Sequence, residues 1–348
     1  METIEKLLSE TIKGRKTVLA TVINTKGSTY RKQGAQMVIN DKGIGYSQLS
    51  GGCIENNIID KSLDVMNNQT DLDIGSYLNL SQPDPIFGFD KGCKGEMDIL
   101  ILDTKQLQPY LHTIYNSLNK NEMVLIGTII NHIDFRLVGQ SFIKYENSDM
   151  KILNKSGLID TKIKEALKNV EIKTGLYHDE KNKTDIFIQA FYPQKEIIVM
   201  GAGNDVFPIL EIAKKLNFEL RINDFRESLI KRFTNRCKEV NLLSNNIENV
   251  ESYLKNMSKN TPVVIMSHNF SFDCLCLKSA INLGFKYIGV MGPRHRLNNL
   301  MTEIDSTETD SIRCPIGINI AAQTPEEIAI SILGEIINYY NDQTNTWR

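Results

Sequence analysis

The sequence predicts an α/β protein in two parts: a C-terminal Rossmann-like, doubly wound parallel sheet and an N-terminal mixed α+β domain. Three observations lead there. After Pro193, short apolar runs alternate with helix-length amphipathic stretches, the pattern of βαβ units. One of those runs ends in Gly201-Ala202-Gly203, directly between a strand and a helix. Before Pro193 the first apolar runs are joined through a short turn, as in a hairpin. The expected domains are 1–192 and 193–348, with a subdivision of the first near 106–121.

Composition narrows the function classes. The 348 residues include 40 Lys and Arg against 42 Asp and Glu, a net charge of −2, so no broad basic field exists for nucleic acid or an anionic membrane. No apolar run approaches the ~20 residues of a membrane span. The start, METIEKLLSETIKGRK, is amphipathic and unlike a secretory leader, so the expected location is cytoplasmic. The 6 cysteines are too sparse for a disulfide scaffold and form no CxxC pair, so they are expected as free thiols, mostly filling cores, and no metal site is assigned.

In chain order, VLATVIN (18–24) and QMVIN (36–40) read as strands, followed by a turn at Asn40-Asp41-Lys42-Gly43 and GIGYSQL. A helix is expected from about Cys53, with Ile54, Ile58, Ile59 and Leu63 on one side. MDILILD (97–103) and MVLIGTII (123–130) read as further strands, and the polar stretch 144–183 carries no clear pattern. In the second half, EIIVM, FELRIN, EVNLL, PVVIM and KYIGVM are strands. Helices are expected over Asn204–Leu216, Glu227–Arg236 and Phe272–Leu283, with an amphipathic stretch through Tyr253. Thr324-Pro325-Glu326-Glu327 marks the start of the last helix: an N-capping hydroxyl, proline at the first position and a glutamate reaching back.

Four places carry candidate chemistry. Gly201 and Gly203, with Asp224 ending the next strand, match a dinucleotide turn in which glycine lets backbone approach a pyrophosphate and the acid accepts from a ribose hydroxyl. Val206, however, stands where a third glycine is expected, and Asp205 adds negative charge beside the phosphate position. Ser50-Gly51-Gly52-Cys53-Ile54-Glu55 puts the amides of Gly51 and Gly52 at a helix start, an anion site, and biases the Cys53 thiol toward thiolate, a nucleophile or soft ligand. Gly92-Cys93-Lys94-Gly95-Glu96 frames a second cysteine beside a lysine. Gly27-Ser28-Thr29-Tyr30-Arg31 is a hydroxyl-rich basic turn able to hold a phosphate through Ser28, Thr29 and Arg31, or to serve as a solvated loop. His268, after PVVIM at the carboxyl edge of the sheet, fits either a site or a packing role.

These segments in this order (GSTYRKQGAQMVI, SGGCIE, GCKGE, GAGNDV, SHNFSFD, GVMGPRHR and CPIGINIAAQTPEEIAISIL) resemble the XdhC/CoxI family over roughly residues 15 to 340. The resemblance implies an accessory factor that binds the molybdenum cofactor (molybdopterin), supports its sulfuration and assists insertion into a molybdenum hydroxylase apoenzyme such as xanthine dehydrogenase. It implies a maturation chaperone rather than a turnover enzyme, with a cysteine desulfurase as further partner and Cys53 and Cys93 near the cofactor. Soft thiolates suit a sulfur-exchanging metal centre. Members often read GAGHVG and THDH where this chain has Gly201-Ala202-Gly203-Asn204-Asp205-Val206 and Ser267-His268-Asn269-Phe270. Two other readings stay open: an NAD(P)-dependent oxidoreductase using the Rossmann half with His268 as acid/base, and a cofactor-free scaffold. A homodimer is compatible with the sequence but demanded by none of its features.

Overall fold

The computed structural model describes residues 1–52, 54–68, 70–78, 95–120, 122–146, 151–153, 173–180, 183–237 and 239–344. The chain forms two compact units, Met1–Pro193 and Gln194–Arg348. Cys53 and Cys93 lie outside the described residues.

The first unit holds two antiparallel five-stranded sheets. One runs β3-β2-β1-β5-β4, from β1 (Thr17–Lys26), β2 (Gln36–Asn40), β3 (Gly45–Tyr46), β4 (Leu72–Leu78) and β5 (Glu96–Asp103). The other runs β8-β7-β6-β10-β9, from β6 (Val124–Asn131), β7 (Ser141–Tyr145), β8 (Lys151–Ile152), β9 (Gly175–Asp179) and β10 (Thr184–Phe191). Strand β1 is buried without interruption from Thr17 to Ile23 because both of its faces are covered. Leu19 and Ile23 join a core with α1 (Glu2–Ile12) and α3 (Leu111–Asn119), while Val18, Ala20 and Val22 pack against α2 (Glu55–Asn68). The first of those cores also takes Val124, Ile126, Ile143 and Phe187 from the second sheet, so α1 and α3 lie between the two sheets. The patternless stretch 144–183 contains β8 and β9, two short strands whose polar composition hid them.

The second unit is a six-stranded parallel sheet in the order β13-β12-β11-β14-β15-β16. Its strands are β11 (Lys195–Met200), β12 (Phe218–Asp224), β13 (Glu239–Leu242), β14 (Val263–Ile265), β15 (Ile288–Val290) and β16 (Ile312–Arg313). Alternation along β11 separates two cores. Ile197 and Val199 face α4 (Val206–Lys215), α5 (Glu227–Ile230) and α9 (Pro325–Thr344), while Ile198 and Met200 face α6 (Ile247–Lys255), α7 (Phe270–Asn282) and α8 (Arg294–Glu303). The Rossmann-like doubly wound class is thereby met. The helix expected over Glu227–Arg236 is shorter, because the chain leaves α5 in turns that bury Phe233 and stack it on Phe207 with centroids 4.3 Å apart. Strand β16, two residues long, gave no periodicity to read. Among the described residues no helix is long and apolar enough to cross a membrane.

Candidate functional site

In the first unit the loops carrying three of the motifs converge. The turn after β1 lies over the start of β5, where a side chain on Gly95 would collide with the Ser28 carbonyl oxygen and with Thr29 Cγ2. Glycine is therefore required there by close approach. The Tyr30 ring in turn covers the loop before α2, so that a side chain on Gly51 would come within 3.5 Å of it. Within the turn, the Thr29 hydroxyl donates to the Arg31 carbonyl at 2.9 Å. Arg31 belongs to no ion pair found among the described residues. It lines a cleft of about 690 Å³ together with Lys6, Ser9, Gln36 and Ser47, and with Glu2 and Glu5.

The Ser50–Glu55 loop is closed by its own glutamate. Glu55 is buried and accepts from the amides of Leu49 (3.1 Å), Ser50 (2.7 Å), Gly52 (2.8 Å) and Ile54 (3.3 Å) and from the Ser50 hydroxyl. Burial opposes its charge, but the hydrogen bonds from Ser50 and from the Leu49 amide outweigh it and hold the carboxyl below the ordinary range. The expectation that Gly52 offers its amide to an external anion is thus corrected, because Glu55 is that anion. Gly51 and Gly52 do take left-handed conformations, φ 76° and 110°, which explains the glycines as the backbone needs of a tight loop.

In the second unit Gly201 and Gly203 follow β11 as read from the sequence. At Gly201, φ 144°, an added Cβ would meet the Met266 carbonyl oxygen at 2.6 Å, so close passage of the segment after β14 requires this glycine. Asp224 is fully buried. It accepts from the Ala202 amide at 2.8 Å, from the Arg226 amide and Nε at 2.9 and 2.8 Å, and from Arg226 Nη2 at 2.7 Å. The expected ribose acceptor therefore faces inward, because its own loop and a neighbouring guanidinium satisfy it. Val206, in place of the third glycine, is a core residue of α4 that leaves the turn intact. His268, in the left-handed region at φ 59°, pairs through Nε2 with Asp205 Oδ2 at 2.7 Å. Beside that pair lies a cleft of about 710 Å³, lined by Gly203, Phe207, Pro208 and Ile212 and by the acids Asp205, Glu211 and Glu326.

The remaining groups are structural. Arg296 is bound to the buried Asp273 at 2.6 Å, joining the starts of α7 and α8. Cys274 and Cys276 are buried, and burial raises both thiols, Cys276 well above the ordinary range. The Cys237 thiol is pushed up to about 11 by burial, and Cys314 is raised by the same cause. None of the four has the exposed, electropositive setting of a reactive thiol. Among the described residues no three His, Cys, Asp or Glu side chains gather as a metal site. Sequence reasoning missed Arg226, whose signal was the Asp-x-Arg spacing at 224–226.

The XdhC Rossmann domain model matches residues 197–336, and the XdhC and CoxI family model matches residues 12–75. The chain belongs to the XdhC and CoxI family. A Bacillus subtilis protein named as a probable subunit of xanthine dehydrogenase is 25% identical over 325 residues, covering 92% of each chain. The molybdenum cofactor insertion chaperone PaoD of Escherichia coli is 20% identical over 339 residues, covering 96% of this chain and 85% of its own. A crystal structure described as a xanthine dehydrogenase from Bacillus halodurans superposes with a TM-score of 0.81 at 26% identity, covering 99% of this chain and 97% of that one. The Rossmann-like unit and the N-terminal sheets are thus features this XdhC/CoxI protein shares with its relatives.

Proposed function

We propose that this protein is an accessory factor in the maturation of a molybdenum hydroxylase of the xanthine dehydrogenase type. It binds the molybdenum cofactor in the N-terminal unit, supports its sulfuration and delivers it to the apoenzyme. The single observation that carries the reading is the convergence of the Ser28–Arg31 turn, the Ser50–Glu55 loop and Gly95, since two of these segments adjoin Cys53 and Cys93 in sequence. Similarity along nearly the whole chain to a protein named as a cofactor insertion chaperone supports it further.

The donor set suits the group. Arg31 and Lys6 in the cleft, with the Ser28 hydroxyl in the adjoining turn, match the demands of a phosphate, while the Thr29 hydroxyl holds the turn through the Arg31 carbonyl. Cys53 and Cys93 supply soft thiols as ligands or sulfur carriers. The bound cofactor would supply a molybdenum centre with an exchangeable terminal sulfur. The residues of this chain orient it, shield it and hand it on, so the protein works as a carrier in the cytoplasm rather than in turnover. A cysteine desulfurase is the matching sulfur source.

The test is co-expression with cofactor supply, followed by molybdenum analysis and fluorescence of the oxidised pterin, and reconstitution of an apo-hydroxylase. Wild-type protein is expected to retain the cofactor, and Cys53→Ser or Cys93→Ser to lower activation while the far-ultraviolet spectrum is kept. Full activation by the double variant overturns the thiol assignment. An empty preparation that still forms a stable complex with the hydroxylase favours a cofactor-free scaffold instead.

A further inference from the structure

An open α/β unit takes its ligand outside the carboxyl ends of its strands, at the point where the strand order reverses. Here that point lies between β11 and β14. We infer that this crevice is filled by the chain's own side chains, through a clamp centred on Arg226, and that the C-terminal unit therefore takes no NAD(P).

The pyrophosphate and ribose positions of a dinucleotide site are both met by the chain's own side chains. The second glycine of the turn normally leaves room for a pyrophosphate. At Gly203 that room holds the Asp205 carboxylate, since an added Cβ would lie 2.5 Å from Asp205 Oδ1. Asp205 precedes the first residue of α4, the position at which a helix N-terminus receives an anion, so a phosphate entering there would displace a carboxylate or repel it. The same carboxylate reaches His268, joining the loop after β11 to the loop after β14. Glu211 and Glu326 line the neighbouring cleft, and among the described residues no lysine or arginine lines it.

The ribose end is closed in the same way. Asp224 has no exposed surface and accepts from Arg226 through both Nε and Nη2, besides the Ala202 amide. Arg226 Nη2 also donates to the Ser267 carbonyl oxygen at 2.8 Å. The guanidinium thus reaches from the end of β12, past β11, to the end of β14. An arginine near this acid is how NADP sites read a 2′-phosphate. In this chain its Nε and Nη2 are committed to Asp224 and Ser267. A ribose hydroxyl would have to displace Arg226 from a charge-assisted pair whose acid is fully buried, and leaving that carboxylate without its partner is unfavourable.

Two measurements on the full-length protein test the clamp. Calorimetric titration with NAD⁺, NADH, NADP⁺ and NADPH to millimolar concentration is expected to show no saturable binding, and saturable binding by any of the four overturns the inference. Separately, Asp224→Asn and Arg226→Lys are made in nucleotide-free protein. A clamp predicts that each lowers the melting temperature by several degrees and that the double variant loses less than the sum, as for partners in one network. An acid held for ribose predicts unchanged melting in both single variants. The milder Arg226→Lys keeps one donor and the charge, so the comparison survives a failure of Asp224→Asn to fold.

Discussion

Glu55 is a carboxylate used as internal scaffolding, taking up amide hydrogens of the loop that leads into α2. Glu55→Gln keeps the shape but loses the charge and an acceptor, which should cost about 2 kcal/mol in urea unfolding. A cost near zero would mean that the loop does not depend on the ion. Glu10 plays the same part on α1. Lys13 and Asn40 hydrogen-bond to it, each at 2.8 Å, and lower its pKa from 4.5 to about 2 against the effect of burial. A carboxyl depressed in the folded state contributes stability that is present above its unfolded pKa and lost as pH falls toward the folded one. Stability should therefore decline between about pH 4.5 and 2, and Glu10→Gln should flatten that part of the profile in acid titrations followed by circular dichroism. Most of these roles could not be read from sequence, because they depend on where a side chain turns and not on which type it is. Ser50-Gly-Gly-Cys-Ile-Glu announced a helix start correctly, but not that its anion would be internal.

At the scale of elements, local signals worked where one segment contains its own partners. The last helix is such a case. Thr324 Oγ1 accepts from the Glu327 amide at 3.2 Å, while Glu327 Oε2 accepts from the Gln323 and Thr324 amides at 2.7 and 3.1 Å. Thr324→Ala should cost about 1 kcal/mol, read from chemical denaturation. The β2–β3 hairpin was likewise legible from its turn and alternation. Strands β8, β9 and β16 were not, being short, polar, or defined by pairing with distant neighbours. Gly201 sits between the two cases. Its type was evident from the turn, but its necessity comes from the Met266 carbonyl oxygen 2.6 Å from where a methyl would stand. Gly201→Ala should destabilise by about 3 kcal/mol or more, since backbone on both sides resists displacement. A stable variant with unchanged melting would remove close packing of β11 and β14 as the reason for this glycine.

Across the whole molecule, a net charge of −2 gives no long-range field to gather an anionic cofactor, so retention must rest on local cations. Arg31→Ala should therefore reduce co-purified pterin at least about tenfold, and raising salt should weaken retention as well, because Arg31 is exposed and an exposed charge is screened. Pterin fluorescence per mole of protein decides it, and equal retention by the variant would move the phosphate elsewhere. The ordered motifs were enough to assign the family, because glycine turns, cysteine frames and caps are short-range requirements that survive in a linear text. The sequence by itself determined the fold class, five of the six strands of the Rossmann-like half and the loops worth inspecting. Tertiary structure decided what those loops do with their groups. Gly52, Asp224 and His268 all read as candidate ligand-binding groups, but folding brings to each a partner from the same chain within hydrogen-bonding distance, and a polar group already paired has little left to offer a ligand.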